Sequence, residues 1–139
     1  MIYLLDTNVI SETIKPSPNI AVSAWLSSIH ITKFALSVIT IGEIRKDVEK
    51  IADQEKRRRI IQWLEIDLVE KFYGRIINID ERVADKWGCI CALNNIPAID
   101  GLIAASAMIH NCKLVTRNVK DFKKIIGLEI IDPWQIAAY

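Results

Sequence analysis

The chain has 139 residues but only two histidines, three cysteines, five glycines and no long apolar run. Each shortage removes a class of protein. Crossing a bilayer takes about 20 consecutive apolar residues, and no stretch approaches that, so no membrane association is expected. The N-terminus has no basic start and carries Asp6 early, which argues against a secretion signal. Cys89, Cys91 and Cys112 are odd in number and lack C-x-x-C spacing, so reduced thiols in a cytoplasmic protein are expected. His30 and His110 are too few for a zinc site, and Cys89-Ile-Cys91 reads as part of a helix core face. The glycines are isolated, which leaves no Gly-rich phosphate loop. A net charge of +1 is too small to grip nucleic acid by bulk electrostatics. The densest basic run, Lys56-Arg57-Arg58-Arg59, could meet phosphates or an acidic partner, or simply form a solvated face.

What is present is a composition of 51% hydrophobic and 25% charged residues, that of a compact domain. No repeat, linker or low-complexity tract divides it, so residues 1–139 are expected to form one unit. Met1 to Leu5, Phe34 to Ile39, Arg75 to Ile79, Lys113 to Thr116 and Leu128 to Ile131 read as five strands. Between them lie amphipathic helices. One follows Ser17-Pro18, read as a cap with proline at the first helical position. Another opens at Thr40-Ile-Gly-Glu43, a capping-box pattern, and runs toward Glu49. A long helix spans Glu55 to Phe72, a further one Glu81 to Leu93, and one follows Asp100. Strands alternating with helices predict an α/β fold, a three-layer α/β/α domain around a mainly parallel sheet. Ligands of such sheets bind beyond the carboxyl ends of the strands.

Four acids fall at that end. Asp6 ends the first strand, Glu43 follows the second, Asp100 opens a helix, and Asp121 follows the fourth strand. Brought together, four like charges raise one another's pKa unless a cation neutralises them. A hard divalent ion with oxygen ligands does so, and Mg²⁺ or Mn²⁺ is the expected choice. Such a site activates water and steadies charge on a phosphoryl group. Each acid also has a local explanation. Asp6 and Asp100 suit caps, Glu43 suits the capping box of Thr40, and Asp121 stands beside Lys120, Lys123 and Lys124. The tryptophans, Trp25, Trp63, Trp87 and Trp134, read as packing residues rather than base-stacking platforms.

Two other chemistries fit less well. A dehalogenase-type phosphohydrolase wants D-x-D after its first strand, where this chain has Asn8 in the second place. A phosphoacceptor receiver would use an acid after strand three, as Asp80 is, but also needs an acid pair after strand one. A binding module that grips RNA or protein without turnover is the non-enzymatic rival.

The blocks LLDTNVISE at 4–12, SVITIGEIR at 37–45, DGLIAASA at 100–107, TRNVKDF at 116–122 and DPW at 132–134 resemble the PIN-domain family. Within that family the resemblance is to the VapC/FitB-like toxin ribonucleases of prokaryotic toxin–antitoxin pairs. It covers the whole chain. The resemblance implies that Asp6, Glu43, Asp100 and Asp121 are the metal-binding and catalytic acids, with Thr7, Asn8, Thr116 and Asn118 as supporting polar residues. It further implies a Mg²⁺- or Mn²⁺-dependent endoribonuclease acting on RNA. The implied assembly is a homodimer, built into a larger complex by an antitoxin whose C-terminal segment occludes the acidic groove. Where the family often continues E-[LI]-x-x-G, this chain has Glu43-Ile-Arg-Lys-Asp47, which bears on groove shape. Arg45 and Lys46, beside an acid-bearing helix, are candidate contacts to substrate phosphate.

Overall fold

The computed structural model describes residues 1–136; the last three residues of the expected 1–139 domain lie outside them. Five short parallel strands carry the fold: β1 (Tyr3–Leu5), β2 (Phe34–Ser37), β3 (Ile76–Ile77), β4 (Lys113–Val115) and β5 (Ile130–Ile131). Their order in the sheet is β3-β2-β1-β4-β5. β1 is therefore central, paired with β2 through Leu4↔Ala35 and with β4 through Leu4↔Leu114. The helices are α1 (Thr7–Thr13), α2 (Ile20–Ser27), α3 (Val38–Glu49), α4 (Gln54–Gln62), α5 (Val69–Lys71), α6 (Glu81–Leu93), α7 (Ala98–Ile109) and α8 (Val119–Phe122). Among the described residues none is long and apolar enough to cross a membrane.

Strand residues alternate between two cores. Leu4, Ala35 and Leu114 pack with Ile103, Ala104, Ala107 and Phe122 on one face. Leu5, Leu36 and Val115 pack with Val9, Ile44, Leu64 and Phe72 on the other. Both faces are buried, which is why the strands read as continuous apolar runs. This is the expected three-layer arrangement.

Several boundaries differ from the sequence reading, each for a local reason. β2 ends at Ser37 because its hydroxyl accepts from Ile39 N at 3.2 Å and starts α3 there. Thr40 is thus a buried residue inside α3, and the capping box predicted at Thr40-Glu43 does not form. Asn19, not Ser17, caps α2, its side chain accepting from Val22 N. α7 begins at Ala98, so Asp100 sits in its first turn rather than before it. The predicted helix from Glu55 to Phe72 is α4 and α5 joined by a π-helical stretch, Trp63–Leu68, that buries Leu64 and Leu68. In the basic run, Lys56, Arg58 and Arg59 are exposed, and Arg57 donates to the Ile51 carbonyl at 3.1 Å. That is the geometry of a solvated face.

Gly101 of α7 packs directly against α6. A Cβ there would stand 2.9 Å from Cys91 Sγ and 3.1 Å from Trp87 Cδ1. Trp87 cannot yield freely, since its indole N–H donates to the Ala98 carbonyl at 3.0 Å. Helix propensity favours alanine over glycine by about 1 kcal/mol, whereas overpacking costs about 1–3 kcal/mol. Gly101→Ala is therefore expected to destabilise the fold by about 1 kcal/mol in urea unfolding, less or not at all in a Cys91→Ala background. Equal losses in both backgrounds would show that the sulfur is not the obstacle.

Candidate active site

The strand order places a crevice outside the carboxyl ends of β1 and β4, where the chain turns from one half of the sheet to the other. Asp6 stands at its floor. Its backbone N–H continues the ladder to the Val115 carbonyl at 2.9 Å, and its extended φ and ψ of −69° and 159° make it the N-cap of α1. One carboxylate oxygen accepts from Thr7 N at 2.8 Å. The other accepts from the Thr116 hydroxyl at 2.8 Å and the Asn8 amide at 3.3 Å. Asp6 does cap a helix, but a cap needs neither of the last two bonds. Burial pushes its pKa up, and the Glu43 charge adds to this. The bonds from Thr116, Thr7 and Asn8 pull the other way.

Glu43 reaches the crevice from the second turn of α3. The Thr7 hydroxyl donates to Glu43 Oε1 at 2.6 Å and lies 3.2 Å from the buried Thr40 hydroxyl. Thr40 is a supporting residue that sequence reasoning assigned to a cap. Its i, i+4, i+8 spacing with Ile44 and Val48, the inward stripe of α3, was the signal available in the sequence. On the far side, the Asn118 amide spans two acids, 3.0 Å from Asp121 Oδ2 and 3.4 Å from Asp100 Oδ2. Asn118 N also donates to the Thr116 hydroxyl at 3.0 Å, and the Asn8 amide donates to the same oxygen at 3.2 Å. All eight residues read from the sequence as acids or polar supports thus share one hydrogen-bonded network or its edge.

Asp100 shows what the arrangement costs electrostatically. Its pKa rises from 3.8 to about 6, first through burial and then through the charges of Asp6, Asp121 and Glu43. Among the described residues no lysine or arginine pairs with any of the four acids. Two other acids differ instructively. Glu12 is buried but bonded to Lys15 at 2.9 Å and to Asn19 N at 3.1 Å, and Lys15 foremost lowers its pKa. Asp80 caps α6 through Val83 N at 3.0 Å, which lowers its pKa and accounts for it without phosphotransfer.

Among the described residues no three acids, histidines or cysteines are already gathered as a ligand set for one ion. The network explains this: Thr7 holds Glu43, Thr116 holds Asp6, and Asn118 stands between Asp100 and Asp121. The donor chemistry nonetheless fits a hard cation, being all oxygen, mutually repelling and unneutralised. Arg45, a candidate phosphate contact, is bonded to Glu65 at 2.7 Å and to Glu49 at 3.4 Å. Lys46 and Asp47 are exposed on α3.

Residues 3–128 match the family model of the PIN domain. The toxin FitB of Neisseria gonorrhoeae is 37% identical over 136 residues, covering 94% of this chain and 97% of the relative. VapC ribonuclease Y4jK of Sinorhizobium fredii is 33% identical over 139 residues, covering 96% and 99%. The crystal structure of FitAcB from Neisseria gonorrhoeae matches with a TM-score of 0.91 at 36% identity, over 97% of this chain and 100% of that one. VapBC2 from Rickettsia felis, bound to a promoter DNA fragment, matches at 0.77 and 26% identity, over 94% and 98%. The chain belongs to the PIN-domain family, and its relatives include the toxin FitB and VapC ribonucleases.

The Asp100 shift has a sign that can be tested without divalent cation. A carboxyl with a higher pKa folded than unfolded favours the fold while protonated. Its contribution is therefore lost as pH rises from about 4 to about 6. Asp100→Asn removes that loss. After allowance for its partial exposure to water, the variant should be more stable than the parent by about 1 kcal/mol at pH 7, with no gain at pH 4. Chemical denaturation at the two pH values in the presence of a chelator measures it.

Proposed function

We propose that the protein is an endoribonuclease dependent on a divalent metal ion, acting as the toxin of a toxin–antitoxin pair. The observation that carries this reading is that Asp6, Glu43 and Asp121 all lie near enough to Asp100 to raise its pKa, while no lysine or arginine among the described residues pairs with any of the four. They meet at the end of a parallel sheet where such folds keep their chemistry. Relatives named ribonucleases and toxins, and solved neighbours described as toxin–antitoxin complexes, support the substrate class and the partner. RNA is the substrate in this reading and an antitoxin covers the acidic site. Assembly as a homodimer belongs to the same proposal.

The four acids would hold Mg²⁺ or Mn²⁺, which when bound supplies the positive charge that eases deprotonation of water and neutralises phosphoryl oxygens. The chain's own residues prepare that charge. Thr116 and Asn8 orient one Asp6 oxygen, and Thr7 fixes Glu43 while its backbone N–H holds the other Asp6 oxygen. Such outer partners set ligand orientation and basicity. Asn118 keeps Asp100 and Asp121 at a fixed spacing instead of letting them swing to solvent. Lys46, exposed on α3, is available to RNA phosphate, whereas Arg45 is held by two glutamates.

Metal-stripped protein incubated with a panel of cellular RNAs should cut only when Mg²⁺ or Mn²⁺ is returned. Asp6→Asn should lower the rate by about 100-fold or more, with an unchanged circular-dichroism spectrum. Thr116→Val, which keeps all four acids, should weaken metal activation about tenfold. Binding of RNA that chelator does not alter, with no turnover under any metal, would replace the enzyme by a binding module.

A further inference from the structure

Arg117, between Thr116 and Asn118, and Trp134 of the closing DPW have side chains outside the acid network. The fold brings them together. The Arg117 guanidinium lies 5.2 Å from the centroid of the Trp134 ring. Trp134 is itself anchored, packed against the core that contains Leu5, Val9 and Val115, with its backbone N–H donating to Asp132 at 2.9 Å. The backbone N–H of Arg117 donates to Asn8 Oδ1 at 3.2 Å, and the Asn8 amide is the one that braces Asp6. Arg117 is exposed and, among the described residues, makes no ion pair. Glu12 feels its charge, but the Glu12 oxygens are taken by Lys15 and by Asn19 N.

We propose that Arg117, held on Trp134, is a subsite for a backbone phosphate of single-stranded RNA beside the acid centre. The ribonuclease reading is what makes that phosphate a neighbour of the scissile one. A pocket of four carboxylates repels a polyanion, and a net charge of +1 offers no general attraction. Fixed cations at the rim must therefore hold the strand. The cation–π contact restricts the guanidinium, no hydrogen bond among the described residues uses its N–H groups, and that planar fork can match a phosphate through two parallel hydrogen bonds. Arg117 binds substrate in this scheme, and Trp134 is a positioning residue.

The test uses a fluorescent single-stranded RNA of mixed sequence, titrated with the full protein in Mg²⁺ across a salt series, alongside single-turnover cleavage of the cellular RNA panel. Arg117→Ala should weaken binding about tenfold and reduce the log–log salt slope by about 0.7, the share of one phosphate contact on a single strand. The saturated single-turnover rate should stay within about twofold, while the protein concentration giving half that rate rises about tenfold. Arg117→Lys should restore the salt slope and only part of the affinity. Trp134→Leu should keep the slope and bind a few-fold more weakly. Wild type that cuts RNA, with affinity and slope unchanged in Arg117→Ala, removes the subsite and leaves the nuclease. A fall in the saturated rate at unchanged affinity also overturns the subsite, since it makes Arg117 a prop for the acids. Wild type that binds but never cuts, with binding lost in Arg117→Ala, removes the nuclease and leaves the subsite.

Discussion

The hydrogen bond from the Thr116 hydroxyl to Asp6, 2.8 Å long and buried, joins the exits of two neighbouring strands. Much of the site hangs from it. The same hydroxyl accepts from the Asn8 amide and from Asn118 N, so it ties the start of α1 to the turn that carries Asn118. Asn118 then spans Asp100 and Asp121. One small polar side chain at the end of β4 thereby sets the spacing of three acids drawn from three separate elements. Parallel pairing makes this possible, because it brings strand ends of the same polarity to one edge.

Four acids of this chain stand in two contrasting environments. Glu12 and Asp80 have donors that favour their charged form, and their pKa values are lowered. Asp6 is raised because burial and the Glu43 charge outweigh the hydrogen bonds it receives, and Asp100 because burial and the charges of Asp6, Asp121 and Glu43 all act in one direction. A fold does not gain stability by gathering unpaired charge, so this unfavourable arrangement points to function. The surrounding structure tolerates it through rigid support: β1 is the central strand, Thr40 and Thr116 are fully buried, and both helix layers pack on apolar faces of their own.

The rim has a different logic from the floor. Arg45 and Arg117 are both arginines next to acid-bearing segments, and a sequence reading treats them alike or favours Arg45. Tertiary contacts separate them. Arg45 is bonded to Glu49, one turn along its own helix, and to Glu65, which reaches it only because α3 packs against the π-helical stretch. Arg117 meets an indole from the far end of the chain, which orders its guanidinium without consuming its charge.

The fold class and the four acids were legible in the sequence because both follow from local pattern. Apolar runs of strand length alternated with amphipathic helices, and each acid stood at the exit of a run or the opening of a helix. The order of those exits made Asp6, Glu43, Asp100 and Asp121 candidates for one edge, and it was the resemblance to PIN-domain toxins that implied their shared role. Three things needed the tertiary structure. Ser37 rather than Thr40 caps α3, because the cap goes to the residue at which the backbone leaves extended geometry. That choice turned Thr40 inward and released Glu43 from a capping role. Glu49, one turn from Arg45, was a readable partner, but Glu65 beside Arg45 and Trp134 beside Arg117 were not, since they lie 20 and 17 residues away along the chain. Local propensity decides which elements form, but charge pairing and stacking depend on which elements later become neighbours, and only the packed sheet determines that.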